Sequence, residues 1–269
     1  MISDITELEQ TLTRTVDGVL ARMAGARVSA QAKSDGSIVT AVDHALQEAL
    51  SETLQRRWPK FGFLGEEMAP ERQRALLAAG DEPMWCLDPL DGTTNYAAGV
   101  PFYSVSLALL EHRRPAVGIV YDPERRECFA AVRGAGARLN GQPLQSLAVP
   151  GALRDALALV DFKRLPAALA SQLVKAQPYR SQRNFGSCAL EWCWLAAGRV
   201  HVYLHGGMRL WDHAAGSLIL EEAGGRACTL GGAELDYGVA SPQSVVAALQ
   251  PGLYRQWRDC LGASAPGSP

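Results

Sequence analysis

Trp85-Cys86-Leu87-Asp88-Pro89-Leu90-Asp91-Gly92-Thr93-Thr94-Asn95 is the stretch on which the reading of this chain turns. An apolar run over residues 84–87 delivers two aspartates separated by Pro-Leu, and Gly-Thr-Thr-Asn follows at once. Pro89 fixes one backbone φ between the carboxylates, so a turn after the strand can aim both at one point. The Leu90 carbonyl lies between them as a further oxygen ligand. Oxygen donors of this kind suit a hard divalent cation. Gly92 permits close backbone approach, and the N–H groups after it can cradle an anion such as phosphate. An Asp-Pro turn running into an Asp-Gly turn would account for the aspartates alone. The Gly-Thr-Thr-Asn sequel tips the reading toward metal-assisted phosphate chemistry.

Outward from this stretch, strand patterns cluster at residues 104–110, 116–121 and 128–133, separated by Pro, Gly and Asp-Pro turns. They read as an antiparallel meander that includes residues 84–87. Upstream, Ile5, Leu8, Leu12, Val16, Val19, Leu20 and Met23 recur at helical spacing. A second helix begins at Val42, with Thr40 as N-cap and Asp43 three residues on, and Pro59 ends it. Residues 61–64 read as a short strand entering Gly65-Glu66-Glu67. Downstream, 143–152 is a boundary. Residues 156–160 and 200–204 read as strands and 166–176 as a helix. Gly186-Ser187 opens a helix stopped by Gly198, and Asp212 opens one stopped by Gly224-Gly225. The first half is α+β and the second alternates α and β.

At 269 residues, 48% of them hydrophobic, the chain can bury a large core as one domain or two packed subdomains. A net charge of -2 supplies no global basic field to recruit nucleic acid. The six cysteines form no Cys-x-x-Cys and read as buried, reduced thiols of a cytoplasmic protein. Neither a signal peptide nor a membrane span is expected. Residues 263–269 read as a disordered tail.

Two further pieces carry carboxylates. Glu66 and Glu67 adjoin, and both pointing inward would need a cation. In Trp211-Asp212-His213-Ala214-Ala215-Gly216, Asp212 can N-cap a helix, ligate a metal, or do both with different lone pairs. The small residues 214–216 let that helix pack closely. With the central stretch, these pieces resemble the inositol monophosphatase family, within the lithium-sensitive, magnesium-dependent phosphatase superfamily. Lys33 with residues 39–43, residues 183–188 and Gly224-Gly225 add weaker matches. The resemblance runs in register from about residue 5 to 260.

The resemblance implies a layered αβαβα sugar-phosphatase fold. A single phosphatase domain would span 1–262, with a metal and phosphate half to about 145 and a substrate half after it. It implies two Mg²⁺ and a more loosely held third. Glu66, Asp88 and the Leu90 carbonyl would hold one ion. Asp88, Asp91 and Asp212 would hold the second. Lys33, Asp43 and Glu67 would serve a weak third ion or the surrounding shell. Glu66, Thr93 and Asp91 would be catalytic, Glu66 and Thr93 orienting the attacking water. Gly92, Thr93, Thr94, Gly186, Ser187, His205, Arg209 and Asp212 would meet the substrate. A small phosphorylated substrate, a homodimer and inhibition by Li⁺ are implied as well.

Two departures concern the substrate. The family's Asp-Leu-Val-Thr reads Ser37-Ile38-Val39-Thr40 here, so an outer aspartate is missing. Inositol-specific members carry a glutamate seven residues before the position of Asp212, whereas this chain has His205, which cannot offer a bidentate carboxylate to a diol. Arg209, Arg183 and Lys163 are candidates to meet a second anionic group. An inositol-1-phosphate-like monoester is therefore the first expectation. 3'-Phosphoadenosine 5'-phosphate, fructose 1,6-bisphosphate and histidinol phosphate are the alternatives. A regulatory protein that keeps the phosphatase fold, linked to RNA polymerase or the ribosome, is the alternative of another class. A Ca²⁺-stabilised structural domain ranks last, because no acidic loop has EF-hand spacing.

Overall fold

The computed structural model describes residues 5–24, 30–32, 38–80 and 82–262. Lys33, Ser37 and residues 263–269, for which a role or a state is expected above, lie outside the described residues. Along the chain come α1 (Ile5–Met23), β1 (Ala30–Ala32), β2 (Ile38–Thr40), α2 (Ala41–Arg57), β3 (Gly62–Gly65), α3 (Pro70–Ala78) and β4 (Met84–Asp91). Next are α4 (Thr93–Ala98), β5 (Ser104–Glu111), β6 (Arg114–Asp122), β7 (Glu127–Val132), β8 (Ala137–Leu139), β9 (Gln142–Pro143) and β10 (Leu157–Asp161). The chain finishes with α5 (Ala167–Ala176), β11 (Ser181–Arg183), α6 (Cys188–Ala196), β12 (Val202–Met208), α7 (Leu210–Glu222), β13 (Arg226–Cys228), β14 (Gln243–Ala248) and α8 (Pro251–Leu261).

Among the described residues, β3 to β9 form a seven-stranded sheet in chain order, parallel between β3 and β4 and antiparallel after that. A five-stranded sheet runs β11-β10-β12-β14-β13, with β10 parallel to both β11 and β12. Side-chain alternation decides what covers each face. Trp85, Leu87, Leu107 and Ile119 pack with Leu8, Leu12, Val16, Leu46, Leu50 and Leu54 of α1 and α2. Cys86, Ala108 and Val120 point the other way, to α6 and α7, and Leu159, Tyr203 and Val245 of the second sheet close that core from beyond. Ala158, Val160, Val202 and Val246 face outward onto α5 and α8. The layers are therefore αβαβα, as expected. Strands covered on both faces explain the unbroken apolar run before Asp88.

Close approach in the middle layer depends on small residues. A Cβ on Gly216 would stand 2.4 Å from Trp192 Cβ on α6, and one on Gly118 would stand 2.7 Å from the Ala215 carbonyl of α7. The capping box expected at α2 is present: Asp43 accepts from the Thr40 N–H at 2.8 Å, and Thr40 accepts from the Val42 N–H.

Three expectations need correction. The strand does not turn at Asp88. It continues to Asp91 through an irregularity in which Asp88 pairs with Ser106 and Asp91 with Ser104, one extra residue on the β4 side. The Thr-Thr-Asn loop is the first turn of α4. Asp212 is not the residue that opens α7: Arg209 is the N-cap, and Asp212 sits three residues on with its carboxylate bonded back to the Arg209 N–H at 2.8 Å.

Candidate active site

Strands β3 and β4 run side by side in the same direction, and β4 runs on to Asp91 past their last pair, Gly65 with Leu87. Glu66 continues that pairing, its N–H donating to the Leu87 carbonyl at 3.0 Å. The turn it occupies is clamped from behind. Gln73 of α3 donates to the Gly65 and Glu66 carbonyls, each at 3.0 Å, and Gln47 of α2 accepts the Glu67 N–H at 3.0 Å. The sequence carries no recognisable signal for these two glutamines, because their partners are backbone atoms on another element.

Asp88 is buried, and its Oδ1 accepts the Leu90 N–H at 3.0 Å. Burial and the charges of Glu66, Asp91 and Asp212 all push its carboxyl well above the usual range, and Glu66 hydrogen-bonds to it. Asp212 is also pushed up, by burial first and then by Asp91 and Glu66, with the Arg209 N–H and Arg164 acting the other way. Asp88 and Asp91 of β4, Asp212 of α7 and Glu66 in the turn after β3 thus form one cluster of carboxyl groups.

Asp91 is fixed from the far half of the chain. Its Oδ2 accepts from Ser187 Oγ at 2.6 Å and the Ala189 N–H at 2.7 Å, and its Oδ1 accepts the Cys188 N–H at 3.0 Å. Asp91 therefore caps the start of α6, where Ser187 stands at the N-cap without capping its own helix. Burial pushes Asp91 up to about 6, while the three bonds from Ser187, Ala189 and Cys188 pull against it.

Gly92 holds φ +93°, and a Cβ there would lie 3.1 Å from the Phe102 carbonyl and 3.2 Å from the Gly186 carbonyl. The position requires glycine for backbone shape and for space. α4 starts immediately after it, so the N–H groups of Thr93 and Thr94 belong to a first turn that the helix itself leaves unpaired. Thr93 Oγ1 lies 2.9 Å from both Asp43 Oδ1 and the Leu90 carbonyl. Asp43 is buried, and its other oxygen is taken by Thr40, so its visible task is to hold Thr93. Asn95 donates to the Phe102 and Phe185 carbonyls, each at 2.7 Å, tying α4 to the turn before α6. Gly186 sits in that turn at φ +81°, and Glu191 holds it by accepting the Phe185 N–H at 2.6 Å and the Gly186 N–H at 3.3 Å.

His205 stands on β12, opposite Asp161 of β10. It is 3% exposed. Its Nδ1 accepts the Gly207 N–H at 3.1 Å, so the ring proton sits on Nε2, which faces Asp161 Oδ2 at 3.1 Å. Burial raises Asp161, but the bond from His205, then the Lys163 N–H and the charge of Arg164, bring it below the usual carboxylate range. Arg209 spends Nη1 on the Ala240 carbonyl at 3.3 Å, and Arg183 bonds locally to Ser181 and Gln182. Lys163 is exposed.

Among the described residues, no three His, Cys, Asp or Glu side chains are gathered tightly enough to hold an ion as they stand. The donor set nonetheless fits Mg²⁺. It is all oxygen, and the bond between Glu66 and Asp88 requires a shared proton where a cation would relieve the same repulsion.

The Nus factor SuhB of Haemophilus influenzae is 35% identical over 239 residues, 86% of each chain. Inositol monophosphatase 1 of Solanum lycopersicum is 37% identical over 244 residues, 86% of this chain and 85% of that one. Among solved structures, the extragenic suppressor protein suhB of Bartonella henselae superposes with a TM-score of 0.81 at 26% identity, covering 96% of this chain and 98% of that one. The carboxylate turn, the glycine that admits it to α4 and the αβαβα layering agree with the sequence match over residues 1–261: the chain belongs to the inositol monophosphatase family.

Proposed function

We propose that the protein hydrolyses a small phosphate monoester with Mg²⁺ and a water molecule as nucleophile. The observation that carries this reading is the set of buried Asp88 and Asp91 with half-buried Glu66 and Asp212, crowded enough to raise Asp88, Asp91 and Asp212 together. Glu66, Asp88 and the Leu90 carbonyl would hold one ion, and Asp88, Asp91 and Asp212 a second. Bound there, Mg²⁺ would screen the repulsion between phosphate dianion and nucleophile and stabilise the departing alkoxide. The N–H groups at Gly92, Thr93 and Thr94 would meet the phosphate oxygens. With its proton given to Asp43, Thr93 Oγ1 keeps lone pairs that can take a hydrogen bond from water and orient it. Ser187 and the turn at Gly186 would hold Asp91 at its task. Glu67 would support a weaker third ion.

Phosphate release from a panel of monoesters with Mg²⁺, with and without Li⁺, tests the reading. Release that Li⁺ inhibits and Asp91→Asn abolishes is expected, and no release from any ester would overturn it. The homodimer implied by the family is checked by light scattering on the full chain. Relatives named Nus factor favour a second reading, a partner-binding role kept on the same fold. An inactive protein that still binds Mg²⁺ and copurifies with a large partner would favour that one.

A further inference from the structure

Asp161 ends β10 and His205 lies opposite it on the parallel strand β12. Asp161 stands at the carboxyl end of its strand, where open α/β sheets receive ligands, and His205 immediately precedes the irregularity at Gly206-Gly207 in β12. The pair adjoins the carboxylate cluster. Cys188 gives its N–H to Asp91 and its Sγ lies 3.7 Å from His205 Nε2, while Arg164 acts on both Asp161 and Asp212. The contacts of Asp161 fall into two kinds. The inner ones are short: the Lys163 N–H at 3.0 Å on Oδ1 and His205 Nε2 at 3.1 Å on Oδ2. The outer ones are long and come from exposed side chains: Asn184 Nδ2 at 3.4 Å on Oδ1 and Arg164 Nε at 3.6 Å on Oδ2. The inner pair aims the carboxylate, and an incoming hydroxyl can displace the outer pair.

We infer that Asp161, aimed by His205, receives a hydroxyl group of the substrate alcohol beside the reacting phosphate. The inference rests on the phosphatase reading above for the site it adjoins. The hydroxyl-binding carboxylate then stands on β10, and His205 is a positioning residue that acts through it. A hydrogen bond to a charged acceptor favours the hydroxylated ester by about tenfold or more.

Glycerol 1-phosphate and propyl phosphate, both primary alkyl esters, are the probes. Their binding to the full chain is measured by calorimetry with Ca²⁺ replacing Mg²⁺ to hold turnover off. The wild type is expected to prefer glycerol 1-phosphate about tenfold. Asp161→Ala brings the ratio to about one and leaves propyl phosphate within about twofold. Asp161→Ser, which keeps a cap for the Lys163 N–H, reads the same if the alanine variant does not fold. His205→Gln, which retains a donor toward Asp161, keeps the preference, and His205→Leu loses it. Equal weakening of both ligands, or a preference that survives Asp161→Ala and Asp161→Ser, overturns the inference. Turnover with Mg²⁺ separates the two claims. A wild type that releases phosphate from no ester of the panel yet shows the Asp161-dependent preference overturns the phosphatase reading and upholds Asp161 as a hydroxyl-binding residue. Hydrolysis of both esters with kcat/KM unmoved by loss of Asp161 overturns this one and upholds the phosphatase.

Discussion

Glu191 lies in α6, is 3% exposed, and carries three bonds at once. Oε1 accepts from Phe185 and Gly186 N–H, and Oε2 accepts from Tyr203 Oη at 2.7 Å. Replacing it with alanine strands the Phe185 N–H and the Tyr203 hydroxyl in a buried setting. Each orphaned group costs about 1–3 kcal/mol, so Glu191→Ala is expected to lower unfolding free energy by about 3 kcal/mol. Glutamine keeps an acceptor for the two N–H groups and can donate to the Tyr203 oxygen. The pair differs in pH response. Burial raises the Glu191 carboxyl from 4.5 to about 7 against the opposing bonds from Tyr203 and Phe185. The folded state therefore holds this proton more tightly than the unfolded chain does. The associated stability is fully present below about pH 4.5 and is lost as pH rises through about 7, to the extent of about 3 kcal/mol. Urea unfolding at pH 4.5 and 7.5 reads it directly. Relative to the wild type, Glu191→Gln should gain about 3 kcal/mol across that interval. Since Glu191 also holds the turn that delivers Ser187, Cys188 and Ala189 to Asp91, the alanine variant should lose phosphate release as well. An alanine variant within about 1 kcal/mol of the wild type would refute the reasoning, as would a glutamine variant with the same pH profile.

Gly216→Ala should cost about 1–3 kcal/mol, read as a lower thermal midpoint, because its Cβ would press into Trp192. Thr93→Val removes the hydroxyl between Asp43 and the Leu90 carbonyl; kcat should fall about 10²–10³-fold while Mg²⁺ binding by calorimetry persists. Mg²⁺ at about a hundred times its dissociation constant should stabilise the fold by about 2.7 kcal/mol, lost on chelation and much reduced in Asp88→Asn; a thermal midpoint indifferent to Mg²⁺ would count against the site.

Much of the layered fold is legible because its elements carry their own period. The leucines of α1 and α2 recur every three or four residues, and the doubly covered strands read as apolar runs. α4 was missed because Thr-Thr-Asn are weak helix formers; the left-handed Gly92 and the packing around it start that helix. α3 and α8, each opening at a proline, and β14, a short run without alternation, are not legible either. The start of α7 lies three residues before Asp212, because an N3 carboxylate bonded back to the cap resembles the cap itself in sequence.

By itself the sequence determined the chemistry on offer: a run of oxygen donors from Asp88 to Asp91, a glycine before unpaired N–H groups, and carboxylates at Glu66 and Asp212. Ligand type and local spacing are properties of a continuous stretch. Only the tertiary structure decided which of these groups are held and by what. Asp91 is gripped by the start of α6, 97 residues away, and the Glu66 turn is held by glutamines from two helices. His205 meets Asp161 because β10 and β12 lie side by side and parallel, an adjacency set by sheet topology. A hydrogen bond depends on distance in space, and across separate elements no local pattern in the chain encodes it.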